Sequence, residues 1–222
     1  MVGHFQEFED EYLEMMFEFH ESDPGGVVRT GDLASSLEVS PASATEMVQR
    51  LAARGLLEYI PYKGARLTEE GLAHGQKMKR RHRLAQVLLD MLPYSGNFYD
   101  TACRLEHAID DDMEIALSRL VSDETRDPNG RVIPDPTADI AQRLSEQPPH
   151  VSLHGLTDGG SGTLSIVLLP AEEAEAMNQQ GFVVGASIKR DGHTFSLESG
   201  AIAQLSDAVM KCIFVNIATD SA

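Results

Sequence analysis

Tryptophan is absent from this 222-residue chain, and cysteine occurs only twice, at Cys103 and Cys212. Two distant cysteines allow at most one bridge, so the disulfide framework of a small secreted domain is excluded. A reduced, cytoplasmic chain is the expectation. No apolar run approaches the roughly 18 residues that cross a bilayer, and no Lys/Arg-flanked signal peptide opens the chain. No membrane partner is therefore expected. Lysine is scarce too: Lys63, Lys77, Lys79, Lys189 and Lys211 complete the set. With 35 acidic against 18 basic residues, the net charge is −17. A uniformly acidic surface would repel nucleic acid. Such a composition also suits a high-salt interior, where the Debye length falls to about 3 Å at 1 M. What is present is an ordinary 42% of hydrophobic residues, in a length that accommodates two small domains or one large one.

The acid is not evenly spread. Between Gly26 and Leu67 the acids Asp32, Glu38, Glu46 and Glu58 face the bases Arg29, Arg50, Arg54, Lys63 and Arg66, a slight basic excess. Upstream, Phe5, Phe8, Tyr12, Met15/Met16 and Phe19 recur at helical spacing, predicting an amphipathic helix over about 5–21. Glu7, Glu11, Glu14 and Glu18 form a second stripe, which taken residue by residue reads as a solvated face. Asp23-Pro24-Gly25-Gly26 ends the helix. Thr30 is placed to cap a helix carrying Leu33, Ala34 and Leu37. Glu38-Val39 turns the chain. Ser40 then caps a helix with Pro41 at its first position, running to Gly55. The exposed early positions of this second helix are Ser40, Pro41, Ala42, Ser43, Thr45 and Glu46, followed by Gln49 and Arg50. Small hydroxyl side chains let a helix N-terminus approach phosphates and base edges, and Arg29, Arg50 and Arg54 would serve phosphates. Leu56–Ile60 and Ala65–Leu67 read as strands around the turn Pro61-Tyr62-Lys63-Gly64, a wing with Lys63 and Arg66 near its tip. This order predicts a winged helix-turn-helix that reads double-stranded DNA. A small protein-binding α+β module is the alternative.

The string ACRLEH, positions 102–107, puts Cys103, Glu106 and His107 at i, i+3 and i+4, on one face of a helix. Thiolate, carboxylate and imidazole together suit a transition metal of intermediate softness. Singly, each has a plainer reading: Cys103 as a small buried hydrophobe, His107 as a core or surface histidine. An enzymatic reading, with Cys103 as nucleophile and His107 as base, lacks an orienting group and an oxyanion hole. No enzyme is expected. Upstream, Thr68 caps a helix to about Met91, with a basic stretch of Lys77, Lys79, Arg80, Arg81 and Arg83, and with His82 inside it. The short apolar helices through ACRLEH and from Asp112 to Val121 are marginal alone. A homodimer would supply the surface they need, and its two-fold axis would match a palindromic operator.

The runs RHRLAQVLL, ACRLEH with AIDDDMEIALSRL, and NGRVIPDP, in this order, resemble the diphtheria-toxin-repressor family of metal-dependent transcription regulators. SPASATEMVQRL and YKGARLTEEG resemble the recognition helix and wing of its manganese-responsive branch. The resemblance spans most of 7–136. It implies a mainly α fold with small β elements: a winged helix-turn-helix (1–72), a helical dimerisation and metal-binding domain (73–136), a linker (137–149) and an SH3-like β-barrel (150–222). It also implies metal ligands, carried over position by position: Glu11, Cys103, Glu106 and His107 for a primary site, with Glu14 and His82 at ancillary positions. Gln86 and Tyr99 depart from the iron branch, which has glutamate and histidine there. Cys103 departs from the simplest manganese pattern, which has a carboxylate.

Thiolate and imidazole tilt the site toward Fe(II), several carboxylates toward Mn(II), and Zn(II), Co(II) or Ni(II) would serve as surrogates in vitro. His4, His20, His74, His150, His154 and His193 lack convergent partners in the sequence. Residues 137–149 read as a proline-bounded linker with at most a short helix. The later apolar runs at 151–156, 163–169, 182–188, 194–197 and 211–217, punctuated by glycines, read as a small barrel. Glu172 and Glu173 fall where the family's barrel reaches back to the metal, although a solvated turn is the plainer reading. The expectation is a cytoplasmic, homodimeric, metal-activated repressor of metal-uptake genes. The alternative is a winged-helix regulator that is metal-independent or senses another signal.

Overall fold

The computed structural model describes residues 3–121, 125–146 and 150–217. They fall into two compact units. One comprises Met1–Ala85, Gly96–Ile109 and Val132–Thr137, the other Gln86–Ser95, Asp110–Arg131 and Ala138–Ala222.

The first unit opens with helix α1 (Gly3–Ser22). Its apolar face is largely the predicted one: Tyr12 and Met16 are buried with Leu13 and Phe17, and Met15 and Phe19 pack against the same core, whereas Phe8 is 53% exposed. Phe5's side chain lies outside the described residues. Helix α1 has a second inward face, on which Glu9, Asp10 and Glu14 are also buried. Helices α2 (Thr30–Ser36) and α3 (Pro41–Ala53) follow. Arg29 occupies the cap position of α2 and makes no side-chain cap bond, so Thr30 lies one residue inside the expected cap. Glu38 adopts a left-handed φ of 54° between the helices. Ser40 does cap α3, its hydroxyl accepting from the Ser43 N–H at 3.1 Å, with Pro41 first in the helix. Strands β1 (Leu57–Ile60) and β2 (Gly64–Leu67) pair antiparallel, Leu57 opposite Leu67. A bridge from Val28 to Ala65 ties the segment before α2 to this hairpin. Tyr12, Leu13 and Met16 of α1 share one core with Leu33 and Ala34 of α2, Ala44, Val48 and Leu51 of α3, and Leu57 and Ala65 of the hairpin.

Helix α4 (Glu69–Met91) begins as predicted, the Thr68 hydroxyl accepting from the Gly71 N–H at 3.1 Å. Its basic stretch turns inward. Lys79, Arg80 and Arg83 are all buried. Arg83 holds Glu21 of α1 at 2.5 Å and donates to the Val132 carbonyl, while Arg80 donates to Pro134 O at 2.6 Å. Helix α5 (Phe98–Glu106) is capped by Asn97, which accepts from the Asp100 N–H. Two glycines one turn apart let α4 lie close to its neighbours. A methyl at Gly71 would fall 1.9 Å from Leu56 O, and one at Gly75 would fall 2.4 Å from Leu13 O.

The second unit contains α6 (Asp111–Leu120), capped by Asp110, and α7 (Ala138–Ser145). Helix α7 is the short helix allowed for the 137–149 segment. It buries Ile140 and pairs Arg143 with Asp112 of α6. Pro148 and Pro149 lie outside the described residues. The C-terminal strands are β3 (His150–Ser152), β4 (Ser161–Val167), β5 (Ser187–Asp191), β6 (Thr194–Leu197), β7 (Ile202–Gln204) and β8 (Ile213–Asn216). They form one antiparallel sheet in the order β3-β8-β4-β5-β6-β7. Helices α8 (Ala171–Gln179) and α9 (Asp207–Lys211) interrupt them. The expected barrel is therefore an open sheet among the described residues. Its edges β3 and β7 are three residues each, which leaves few backbone groups to close a ring. Leu153, Leu164, Phe182, Phe195 and Ile213 lead its core. Arg190 fastens the turn after β3, one guanidinium nitrogen donating to the carbonyls of Leu153, His154 and Leu156. No described helix is long and apolar enough to cross a membrane.

The close crossing of α4 on α1 gives a first prediction. Gly75→Ala should destabilise the chain by about 1–3 kcal/mol, because the methyl meets backbone that cannot step aside. Urea unfolding of the variant checks this; an unchanged midpoint would contradict the packing.

Candidate metal centre

Three elements of the first unit converge. Helix α4 brings His82, α5 brings Cys103 and Glu106, and α1 brings its acidic face. One ligand atom each from His82, Cys103 and Glu106 lie within 4.8 Å of one another. His82 Nδ1 is 2.5 Å from Glu106 Oε2, 3.8 Å from Cys103 Sγ and 3.8 Å from Glu14 Oε1. Helix α5 ends at Glu106, and His107 keeps a helical backbone as its cap residue. The one-face spacing therefore survives, and His107 Nε2 is 3.5 Å from Glu106 Oε1. Glu11 is half-buried and outside the tight group, but its charge acts on Cys103, Glu106 and His107. Of the six expected ligands, three are drawn together, Glu14 and His107 flank them, and Glu11 stands further off.

The electrostatics are those of a site short of positive charge. Glu106 is fully buried and its Oε1 accepts no hydrogen bond among the described residues. Burial, then the Glu14 charge, pushes its carboxyl far above the usual carboxylate range. Burial also pushes the Cys103 thiol up to about 12, with the Glu106 and Glu14 charges adding to it. Such a thiol is a poor nucleophile at neutral pH, which weighs against catalysis. Burial raises the Tyr99 phenol as well, and its ring lies 5.3 Å from that of His82. Tyr99 thus packs beside the site at the position where a histidine would have been another ligand.

The acidic stripe of α1 is not simply solvated. Glu14 is buried and accepts from Lys79 Nζ at 2.9 Å, and Lys79 also holds Glu18 at 2.6 Å. Asp10, not singled out by the sequence, joins two histidines: His74 Nε2 at 2.7 Å from Oδ1 and His107 Nδ1 at 3.6 Å from Oδ2. Burial alone would raise the Asp10 carboxyl, but the two imidazoles hold it below its ordinary value. The Asp10 carboxylate in turn raises the His107 imidazole against burial. A carboxylate behind one ring nitrogen fixes the tautomer and leaves the other nitrogen as a ligand, which is the role Asp10 is placed to play for His107. His74 and His107 lie more than 60 positions from Asp10 in the chain, so spacing alone could not have found these pairings.

On the winged-helix side, Arg29, Ser40, Pro41, Ala42, Ser43, Glu46, Gln49, Arg50, Lys63 and Arg66 are all exposed. Thr45 is half-buried and turns its hydroxyl back onto Pro41 O at 2.8 Å. The arginines expected at phosphates, Arg50 in α3 and Arg54 at its C-terminal cap, lean on α1: Arg50 Nε is 3.2 Å from Glu9, and Arg54 pairs with the same carboxylate. Arg66 pairs with Glu58 at 2.7 Å across the wing. Tyr62 is fully exposed at the wing tip with a left-handed φ of 65°. In the second unit, Glu172 and Glu173 stand exposed in the first turn of α8, and Gln86 accepts from Arg131 at 3.1 Å.

Glu106 generates a second prediction. Its folded-state proton affinity exceeds the unfolded value, so the folded chain holds a proton that the unfolded chain releases. Stability of the metal-free protein must then fall as pH rises above the ordinary carboxylate range. Glu106→Gln should lessen that fall between pH 5 and 9 in urea titrations. Parallel curves for the two proteins would refute the assignment.

The chain matches known proteins along most of its length. Residues 4–65 match the iron dependent repressor N-terminal DNA binding domain, and residues 68–135 match the iron dependent repressor metal binding and dimerisation domain. The chain is 29% identical over 216 residues to the diphtheria toxin repressor of Corynebacterium efficiens, covering 92% of this chain and 93% of that one. It is 33% identical over 99 residues to the HTH-type transcriptional regulator MntR of Oceanobacillus iheyensis, covering 44% and 66%. Among solved structures, the manganese regulator SloR shares the fold at a TM-score of 0.51, with 23% identity and coverage of 94% and 98%. With both domain models matched in order over more than half its length, the chain belongs to the iron-dependent repressor family, whose members are transcriptional repressors.

Proposed function

We propose that this protein is a metal-dependent DNA-binding regulator that acts as a homodimer on a palindromic operator in the cytoplasm. It represses metal-uptake genes when Fe(II) or Mn(II) is bound. The reading rests on one observation: α1 is shared. One face of α1 lies in the winged-helix core with α3, and its acidic face meets the groups brought by α4 and α5. What happens at the acidic face is thereby transmitted to the recognition helix through packed side chains.

The donor set fits a divalent ion. Sulfur, imidazole nitrogen and carboxylate oxygen converge on a buried place where Glu106 Oε1 accepts no hydrogen bond from the described residues and carboxylates crowd one another. Cys103, Glu106, His107 and His82 would hold the ion, with Glu11 and Glu14 as the candidates from α1. Bound there, it would supply the positive charge this cluster lacks. Asp10, backed by His74, orients His107. Tyr12, Leu13 and Met16 carry the position of α1 into the core beside Ala44, Val48 and Leu51. A state in which α1 is held against α4 and α5 is then favoured by differential affinity, which is what coupling between a metal site and DNA binding requires. Residues 1–72 are read as the DNA-binding part, 73–136 as the dimerising and metal-binding part, and 150–222 as an appended β module. The matched family descriptions name iron and the solved structure SloR is named a manganese regulator; the mixed S/N/O donor set suits Fe(II) and Mn(II), with Zn(II), Co(II) or Ni(II) as laboratory surrogates.

Anaerobic DNA binding with Fe(II) and Mn(II), across a salt series, tests the proposal. Cys103→Ala and Glu106→Ala should each abolish metal-dependent retention of operator DNA while leaving the fold intact. Unchanged metal stimulation in both variants would sink the metal reading and favour a metal-independent regulator. On the DNA side, Lys63→Ala should weaken binding evenly across sequences and lower the slope of log affinity against log salt by about one. An unchanged slope would remove Lys63 from the interface.

A further inference from the structure

Lys79 is drawn into the acidic cluster, and it is only 3% exposed. Its ammonium lies 2.9 Å from Glu14 Oε1 and 2.6 Å from Glu18 Oε2. Glu14 Oε1 is the very atom that stands 3.8 Å from His82 Nδ1. Lysine has three donors and no lone pair when charged, so it cannot share a metal; it can only take a metal's place beside a carboxylate. An ion gripped through Glu14 Oε1 and His82 would have to expel a buried ammonium from its two partners.

We infer that Lys79 is a built-in counter-cation that fills the Glu14 side of the cluster, so each chain takes up one divalent ion at His82, Cys103, Glu106 and His107 and not two. This inference rests on the metal reading above. Local charge supports it. The buried Lys79 ammonium already neutralises Glu14, so a second divalent ion there would have to displace a buried cation or sit beside it, and like charges held together away from water are costly. Without the ammonium, Glu14 becomes an unpaired buried carboxylate beside an imidazole, and a second cation is its natural partner. Lys79 is thus a residue that sets metal stoichiometry, and through it the response of the chain to metal concentration.

Equilibrium dialysis of the purified full-length protein against Mn(II) under reducing conditions, followed by metal analysis, counts the ions directly. Wild type should hold one Mn(II) per chain. Lys79→Met should hold two, and the double variant Lys79→Met/Glu14→Gln should return to one. Lys79→Gln keeps a neutral donor on Glu14, should also hold two, and stands in if Lys79→Met fails to fold by circular dichroism. Two ions in wild type, or one ion in both folded Lys79 variants, would overturn the role of Lys79 while leaving the metal reading intact. No bound ion in wild type would overturn both.

Discussion

The burial of carboxylates where α1 meets α4 and α5 is the constraint on which the rest of the first unit depends. Ionised groups are costly away from water unless opposite charge is near. Here Glu14 and Glu106 are both buried, and Lys79 supplies cationic charge to only one side of the cluster. Glu106 meets the deficit by holding a proton far more tightly than a free carboxylate, and Cys103 by staying a thiol. A cluster in that condition is poised to exchange protons for a metal ion, because the ligands that a metal needs are the ones that cannot all ionise without it.

The same constraint explains the unusual helix α1. Its one inward face packs with the winged-helix core through Tyr12, Leu13 and Met16. Its other carries Asp10 and Glu14 toward imidazoles and Lys79, while Glu9 reaches Arg50 and Arg54 of α3. The helix is tied to the recognition helix twice, by apolar packing and by an ion-pair pair of arginines on one carboxylate. Gly75 allows α4 to press against α1 closely enough for His82 and Lys79 to reach the cluster. A sensing site and a DNA-reading element joined by one rigid helix need no long relay between them.

Much of this was legible in the residues. The Ser40-Pro41 cap, the hairpin turn with Lys63, and the Thr68 cap are local signals, and each forms as its chemistry dictates. ACRLEH placed Cys103, Glu106 and His107 on one face because i, i+3 and i+4 neighbours meet on any helix. Less legible were features that depend on a partner distant in sequence. Phe8 fits the apolar stripe by spacing yet is exposed, because the inward faces of α1 are set by what packs against them. Lys79 looked like one member of a basic stretch, and His74 like a histidine with no partner. The closed barrel expected for the last strands is an open sheet among the described residues, since edge pairing depends on strand length and twist that an apolar run does not specify.

The order of elements, most of the caps and turns, and the family itself follow from the sequence alone, because they rest on interactions between residues a few positions apart or on ordered motifs. The identity of each ligand's partner was decided only by the tertiary structure. Glu14 with Lys79, Asp10 with His74 and His107, and Arg50 with Glu9 are contacts across roughly 40 to 100 positions. Charge inside a fold is governed by distance and burial, and neither can be read until the helices have been laid against one another.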